Sequence, residues 1–346
     1  MGENIGMESR GHFLELSDED PDTIYELFEK HGWGDGLPLV APTDQRVAEM
    51  LSSIEFSPEE VIAVLPPRGG SATYRSVAVN AVLAGCKPEY FPVLLAAVEA
   101  LLEPEFNLHG ITASTMGAGI LTVVSGPIAK DIGINGGISV FGPGHQANAT
   151  IGRALRLFVI NCTGSRSGEI DKATLGHAGK YTWCITENED FRPWPNTSED
   201  QGFKIGSNTV SVFAGLSPTQ VSNHSSQDPE NILRSFRDAL FAAGPNQGEI
   251  VIIFCPEHVQ SISRAGWTKS QVRDFLYETA VRSDTEWGFG SIPPGPKPSG
   301  SAMTHSALTP DSFTLLVAGG AAGAFSSVIP LWASGVGSNS VTKEII

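Results

Sequence analysis

Apolar positions recur along this chain in two rhythms, one of helices and one of short strands. The segment Pro21-Asp-Thr-Ile-Tyr-Glu-Leu-Phe-Glu-Lys is amphipathic at helical spacing, with an early proline and an acidic first turn, and predicts a short helix ending near Gly32. Thr43 is placed to cap a second helix through about Ser52. Residues 72–86 and 88–102 are small and apolar nearly all round, the pattern of helices buried in a core. Short apolar runs at 60–65, 120–125, 209–213, 249–255 and 313–320 read as strands, the first of buried type, and 138–144 reads as a strand running into a glycine turn. Helices are expected at 148–160, with Arg153 and Arg156 three apart on one face, at about 229–243, and in a pair whose joint holds Trp267, because Thr268-Lys-Ser-Gln matches a capping box.

Strands alternating with helices predict an α/β fold of layered, mostly parallel sheets with flanking helices, in two sub-domains. The expected divisions are a loosely held N-terminus over 1–20, an α/β domain over 21–200 carrying glycine-rich anion-binding turns, and a second α/β domain over 201–346. The polar, proline-bearing stretch 188–204 lies at their boundary, and 293–300 reads as a loop. No internal repeat or heptad pattern is present, which argues against a scaffold or coiled coil.

Composition narrows the partners. The formal net charge of −16 disfavours nucleic acid and anionic membrane surfaces, which would repel the chain. A few arginines and oriented backbone N–H groups still suffice to make one pocket locally positive. The four cysteines show no CxxC spacing, so free thiols in a reducing compartment are expected. Neither a secretory leader nor an apolar run of the roughly 18 residues that span a bilayer is visible, and the chain reads as cytoplasmic and oligomeric.

The candidate chemistry clusters at glycine turns. Gly142-Pro-Gly144-His145-Gln-Ala leads into a helix bearing Asn148 and Arg153; bare amides at such a helix start, with a nearby arginine, suit an anion. The six residues also match G-x-G-x-x-A, but the proline and the missing acid about 20 residues later disfavour NAD. The plainer reading is a tight turn whose glycines supply only φ > 0. Arg68-Gly69-Gly70-Ser71 repeats the grammar, and Gly319-Gly-Ala-Ala-Gly is a third such turn. Candidate proton-moving groups are His109, His145 and His177, which neighbour glycines that let substrate approach the ring. The run from His177 through Lys180 and Cys184 to Glu187 gathers an imidazole, an ammonium, a thiol and a carboxylate, and Cys184 would need a depressed pKa to attack. A lone histidine or cysteine is as often structural, and Cys86 and Cys255 read as core.

Several segments together carry a resemblance: Asp35-Gly-Leu-Pro, Leu65-Pro-Pro-Arg-Gly-Gly, Val79-Asn-Ala-Val-Leu-Ala-Gly-Cys-Lys-Pro-Glu-Tyr, Asn107-Leu-His-Gly, Asn148-Ala-Thr-Ile-Gly-Arg-Ala and Gly266-Trp-Thr-Lys. From about residue 30 the chain resembles a poorly characterised bacterial family encoded beside small UGSC-motif selenocysteine or cysteine proteins. Those proteins are themselves similar to the thiol-active subunit of the glycine, betaine and D-proline reductases. The resemblance implies a partner that brings a reactive thiol or selenol to a shared active site. This chain has neither UGSC nor CGSC, so that sulfur comes from another chain or plays no part.

Three functions follow as expectations. The first is an enzyme subunit that cleaves or reduces a carbon–heteroatom bond of a small carboxylate-bearing substrate by thiol chemistry, its own or a partner's. The second is a metal-dependent lyase or hydratase with His109, His145, His177 and Glu187 around one divalent ion. The third is a non-catalytic anion-binding subunit. No other cofactor is specified by the sequence.

Overall fold

The computed structural model describes residues 20–287 and 303–346, together with the backbone of two short strands, Glu3–Gly6 and Phe13–Leu16, paired as an antiparallel hairpin. The rest of the stretch expected to be loosely held, and the loop expected at 293–300, lie outside the described residues.

The longer helices are α1 (Pro21–His31), α2 (Asp44–Leu51), α3 (Tyr74–Ala84), α4 (Phe91–Leu102), α5 (Gln146–Phe158), α6 (Pro229–Ala243), α7 (Pro256–Arg264) and α8 (Lys269–Thr279). Their ends follow local chemistry. Asp20, Thr43, Asp228 and Thr268 accept backbone N–H bonds as N-caps, and Gly32 closes α1 in the left-handed conformation.

The main strands are β1 (Gly119–Ser125), β2 (Cys184–Thr186), β3 (Thr209–Gly215), β4 (Thr219–Ser222), β5 (Ile250–Phe254), β6 (Phe313–Val317), β7 (Phe325–Pro330) and β8 (Val341–Glu344). They form two four-stranded sheets, ordered β8-β3-β1-β2 and β6-β5-β7-β4. Period-two alternation assigns each strand's side chains to opposite faces. Leu121, Val123, Ile185 and Phe213 of the first sheet meet Val251, Ile253, Leu316 and Ile329 of the second in one inner cluster. The outer face of the first sheet, with Val124, Val210 and Val212, packs on α4 and α5, which α3 covers in turn. That of the second, with Ile250, Ile252 and Phe254, packs on α6, α7 and α8. The result is four layers, helix, sheet, sheet, helix.

The expected α/β character is present, but the sheets are mixed and not mostly parallel. Only β1·β2 and β5·β6 run parallel, whereas β1·β3, β3·β8, β5·β7 and β4·β7 are antiparallel. Apolar periodicity identifies a strand without naming its neighbour. Thus β7 follows β6 in sequence yet inserts antiparallel on the far side of β5. The sheets also do not divide at residue 200, because β3 and β8 complete the sheet founded by β1.

Two strand expectations differ from the structure. Residues 138–144 form turns, with Ser139 at φ 58 and Ile138 largely exposed, so the glycine turn there does not close a strand. The run expected as a buried strand is one arm of an exposed hairpin, Val61–Leu65 paired with Gly70–Thr73, in which Val61 and Val64 face solvent. Among the described residues no helix is long and apolar enough to cross a membrane.

Candidate active site

A cavity of about 460 Å³ opens where the end of α5, the loop after it and the segment following α1 converge. That volume lies in the range of small-molecule pockets. The α-helical ladder of α5 gives way to a π-helical turn over Val159–Thr163, and Gly164 at φ 76 then turns the chain out. Such π turns reposition side chains at functional sites. Here the turn separates Arg156 on α5 from Arg166 and Asp171 on the loop, and all three face the cavity together with His177, Lys180 and Tyr181.

The charges meet on one carboxylate oxygen. Asp171 Oδ2 lies 2.6 Å from Lys180 Nζ and 2.8 Å from an Arg156 guanidinium nitrogen, while Oδ1 accepts the Ala173 N–H. The Asp171 side chain is only 6% exposed. Burial pushes its carboxyl upward, but the bonds from Lys180 and Ala173 and the two neighbouring cations outweigh that and hold it below the usual range. Burial, aided by the charge of Arg156, brings the Lys180 ammonium below its own range despite the Asp171 partner. Arg166 differs from both neighbours: one terminal nitrogen reaches the His31 carbonyl at 3.3 Å, its buried Nε has no partner, and it makes no ion pair with any described residue. Asp35, the other acid of the wall, is already held by Arg153 through bonds of 2.7 and 2.8 Å.

Of the expected site residues, His177 and Lys180 are brought together in this cavity. Both ring nitrogens of His177 are engaged by the backbone. Its Nε2 faces the Gly215 carbonyl at 3.1 Å, which only accepts, and its Nδ1 faces the Gly179 N–H at 3.2 Å, which only donates. The ring is therefore the neutral Nε2–H tautomer with both nitrogens engaged, and burial holds its pKa below the usual value. It forms a wall, edge-on to Trp183.

The remaining expected residues lie elsewhere. Cys184 is buried in β2, and burial drives its thiol far up, away from the thiolate form that attacks. Glu187 is buried and accepts from the Thr197 N–H, the Thr197 hydroxyl and the Val317 N–H, tying the end of β2 to β6. Burial raises its pKa. His109 is exposed on the short helix Leu108–Thr112, and His145 is exposed at the N-cap of α5. His145 and Glu187 line a second cavity, of about 480 Å³, while His177 lines the first, so the expected four-residue metal set does not assemble. Among the described residues no group of three or more His, Cys, Asp and Glu is placed to hold a metal ion.

The expected anion turns are also otherwise occupied. Arg68, Gly69, Gly70 and Ser71 belong to the exposed hairpin, not to a strand-to-helix turn: Arg68 pairs with Glu169 at the surface, and α3 is capped by Thr73 and Ser76. Gly142 donates its N–H to the Ser139 carbonyl, and Gly144 takes φ 117, which only glycine adopts readily. Asn148 is buried, accepting from the Asn135 N–H and donating to the Asn135 and Cys184 carbonyls. Arg153 is bound to Asp35. The second cavity, with Glu187, Glu189 and Asp190 against Lys130, has the wrong charge for an anion.

Arg156, Arg166, Asp171 and Tyr181 were not singled out as site residues by the sequence. The available signal was the Thr163-Gly-Ser-Arg-Ser-Gly-Glu-Ile-Asp171 loop, where small residues flank one arginine directly after a helix. No protein-family model, curated protein or solved structure matches the chain.

Proposed function

We propose that this chain is an enzyme subunit that binds a small carboxylate-bearing molecule in the Arg156–Arg166–Lys180 cavity and acts at a carbon–heteroatom bond of it. One observation carries the reading. In a molecule of net charge −16, Arg156, Arg166 and Lys180 line one cavity whose two acids are already paired, Asp171 with Arg156 and Lys180 and Asp35 with Arg153, while Arg166 makes no ion pair with any described residue. A guanidinium so placed suits a carboxylate, which completes its donors in a partly dry setting. Lys180, 2.6 Å from Asp171 and with its ammonium held below the ordinary lysine range, is the reactive amine of the site.

A sulfur that attacks substrate belongs to another chain. Burial lifts the Cys86 and Cys162 thiols to about 12 and Cys184 further, and Cys255 is buried at the end of β5. The resemblance to companions of UGSC-motif proteins supports such a partner.

Thermal denaturation in the presence of pyruvate, glyoxylate and acetate at low ionic strength tests the reading. A bound carboxylate at 100 times its Kd stabilises by about 2.7 kcal/mol. Arg166→Ala is expected to weaken binding by about 2 kcal/mol, roughly thirtyfold in Kd. A wild-type protein whose melting ignores all three acids, or an Arg166→Ala protein that binds them as well as wild type, overturns it.

A further inference from the structure

Lys180 stands where two cavities meet. Together with Arg156 and Asp171 it lines the 460 Å³ cavity and also a recess of about 20 Å³ behind it, walled by Thr112, Gly119, Gly152 and Gly179. Glycine is required at this close approach: a Cβ on Gly119 would lie 2.7 Å from the Gly179 carbonyl oxygen. A recess of that size takes a single water, and the Thr112 hydroxyl, Arg156, Asp171 and Lys180 offer it polar partners. A primary amine facing a cavity of carboxylate-binding character, with a carboxylate 2.6 Å away and a one-water recess at its back, has the parts of an imine-forming site.

Resting on the carboxylate-pocket reading above, we propose that Lys180 is a catalytic nucleophile that forms an imine with a small 2-oxo carboxylate whose carboxyl group lies on Arg166. The step balances without any oxidant or reductant. Asp171 Oδ2 takes a proton from the Lys180 ammonium, and the freed lone pair attacks the carbonyl carbon. The carbonyl oxygen receives that proton and then a second from the same nitrogen. The carbon–oxygen bond breaks, and the oxygen leaves as water into the recess. Ammonium plus carbonyl becomes iminium plus water, so the positive charge stays on the nitrogen beside Asp171 and the ion pair survives the step.

The direct test is reductive trapping. The full-length protein is incubated with pyruvate or glyoxylate and cyanoborohydride, digested and mapped by mass spectrometry, with exposed Lys172 on the same loop as internal control. A reduced adduct concentrated on Lys180 and lost to the Lys172 background in Lys180→Arg is expected, since arginine keeps the ion pair with Asp171 but forms no such imine. Adduct spread evenly over surface lysines, or unchanged total adduct in Lys180→Arg, overturns the proposal even if that variant is less stable, because the wild-type map alone decides it. Pyruvate that raises the melting temperature through Arg166 yet leaves no adduct on Lys180 refutes the imine while the carboxylate pocket stands. Pyruvate that does neither refutes both.

Discussion

Asp35 and Arg153 show how a residue's chemistry is set by what it faces. Arg153 looked like an anion grip because it follows a glycine turn on a helix, yet its guanidinium closes bidentately on a carboxylate whose side chain is only 4% exposed. Removing it strands that charge, so Arg153→Ala is expected to cost on the order of 3 kcal/mol in urea denaturation while carboxylate affinity stays within a few-fold of wild type. A stable Arg153→Ala protein that no longer binds would return Arg153 to the site. The cysteines make a second residue-scale prediction. At pH 8 native protein should leave the buried Cys184 and Cys255 unreactive toward a thiol-titrating disulfide, the half-buried Cys86 and Cys162 should react only slowly, and denatured protein should react at all four. Rapid labelling of Cys184 in the native state would contradict its burial and reopen an internal thiol mechanism.

At the scale of elements, helices were the most legible part of the sequence. Proline and capping residues mark their starts and glycine their ends, so α1, α2, α6 and α8 begin within a residue or two of the places that Pro21, Thr43, Pro229 and Thr268 indicate. Strands β1, β3, β5 and β6 were legible as apolar runs, but β4, β7 and β8 were not, because Ser326, Ser327, Thr342 and Lys343 dilute the apolar signal. The site was half legible. Lys180 stood out in a dense polar run, whereas Arg166 and Asp171 lie on a loop, where no periodicity constrains a side chain's direction and only the fold brings it to Arg156. The turn glycines Gly69 and Gly144 misled for a related reason: a positive φ demands glycine whether or not a ligand is near.

The whole molecule adds a pH dependence. His177 lines the first cavity, and His258 is buried in α7, with Nδ1 against the Ser326 hydroxyl and Nε2 against the Asn223 carbonyl. Burial holds both imidazoles below their ordinary 6.5. The unfolded chain therefore binds protons near pH 6.5 that the folded chain refuses. The stability from these two rings is fully present above pH 6.5 and is lost as pH falls through their lower folded values. The urea midpoint should thus drop between pH 7 and pH 5, and His258→Gln should flatten part of that drop. A midpoint that holds steady or rises over the interval would contradict the neutral, buried state of both rings.

The central claim is that one cavity of an acidic molecule is built for a carboxylate, with Arg166 as its open donor. A crystal soaked in pyruvate tests this most directly. The account predicts a carboxylate within hydrogen-bond distance of the Arg166 guanidinium, with the neighbouring carbonyl carbon turned toward Lys180. Pyruvate bound instead in the cavity of Glu187 and His145, or a saturating soak that leaves the Arg166 guanidinium facing only solvent, would contradict it.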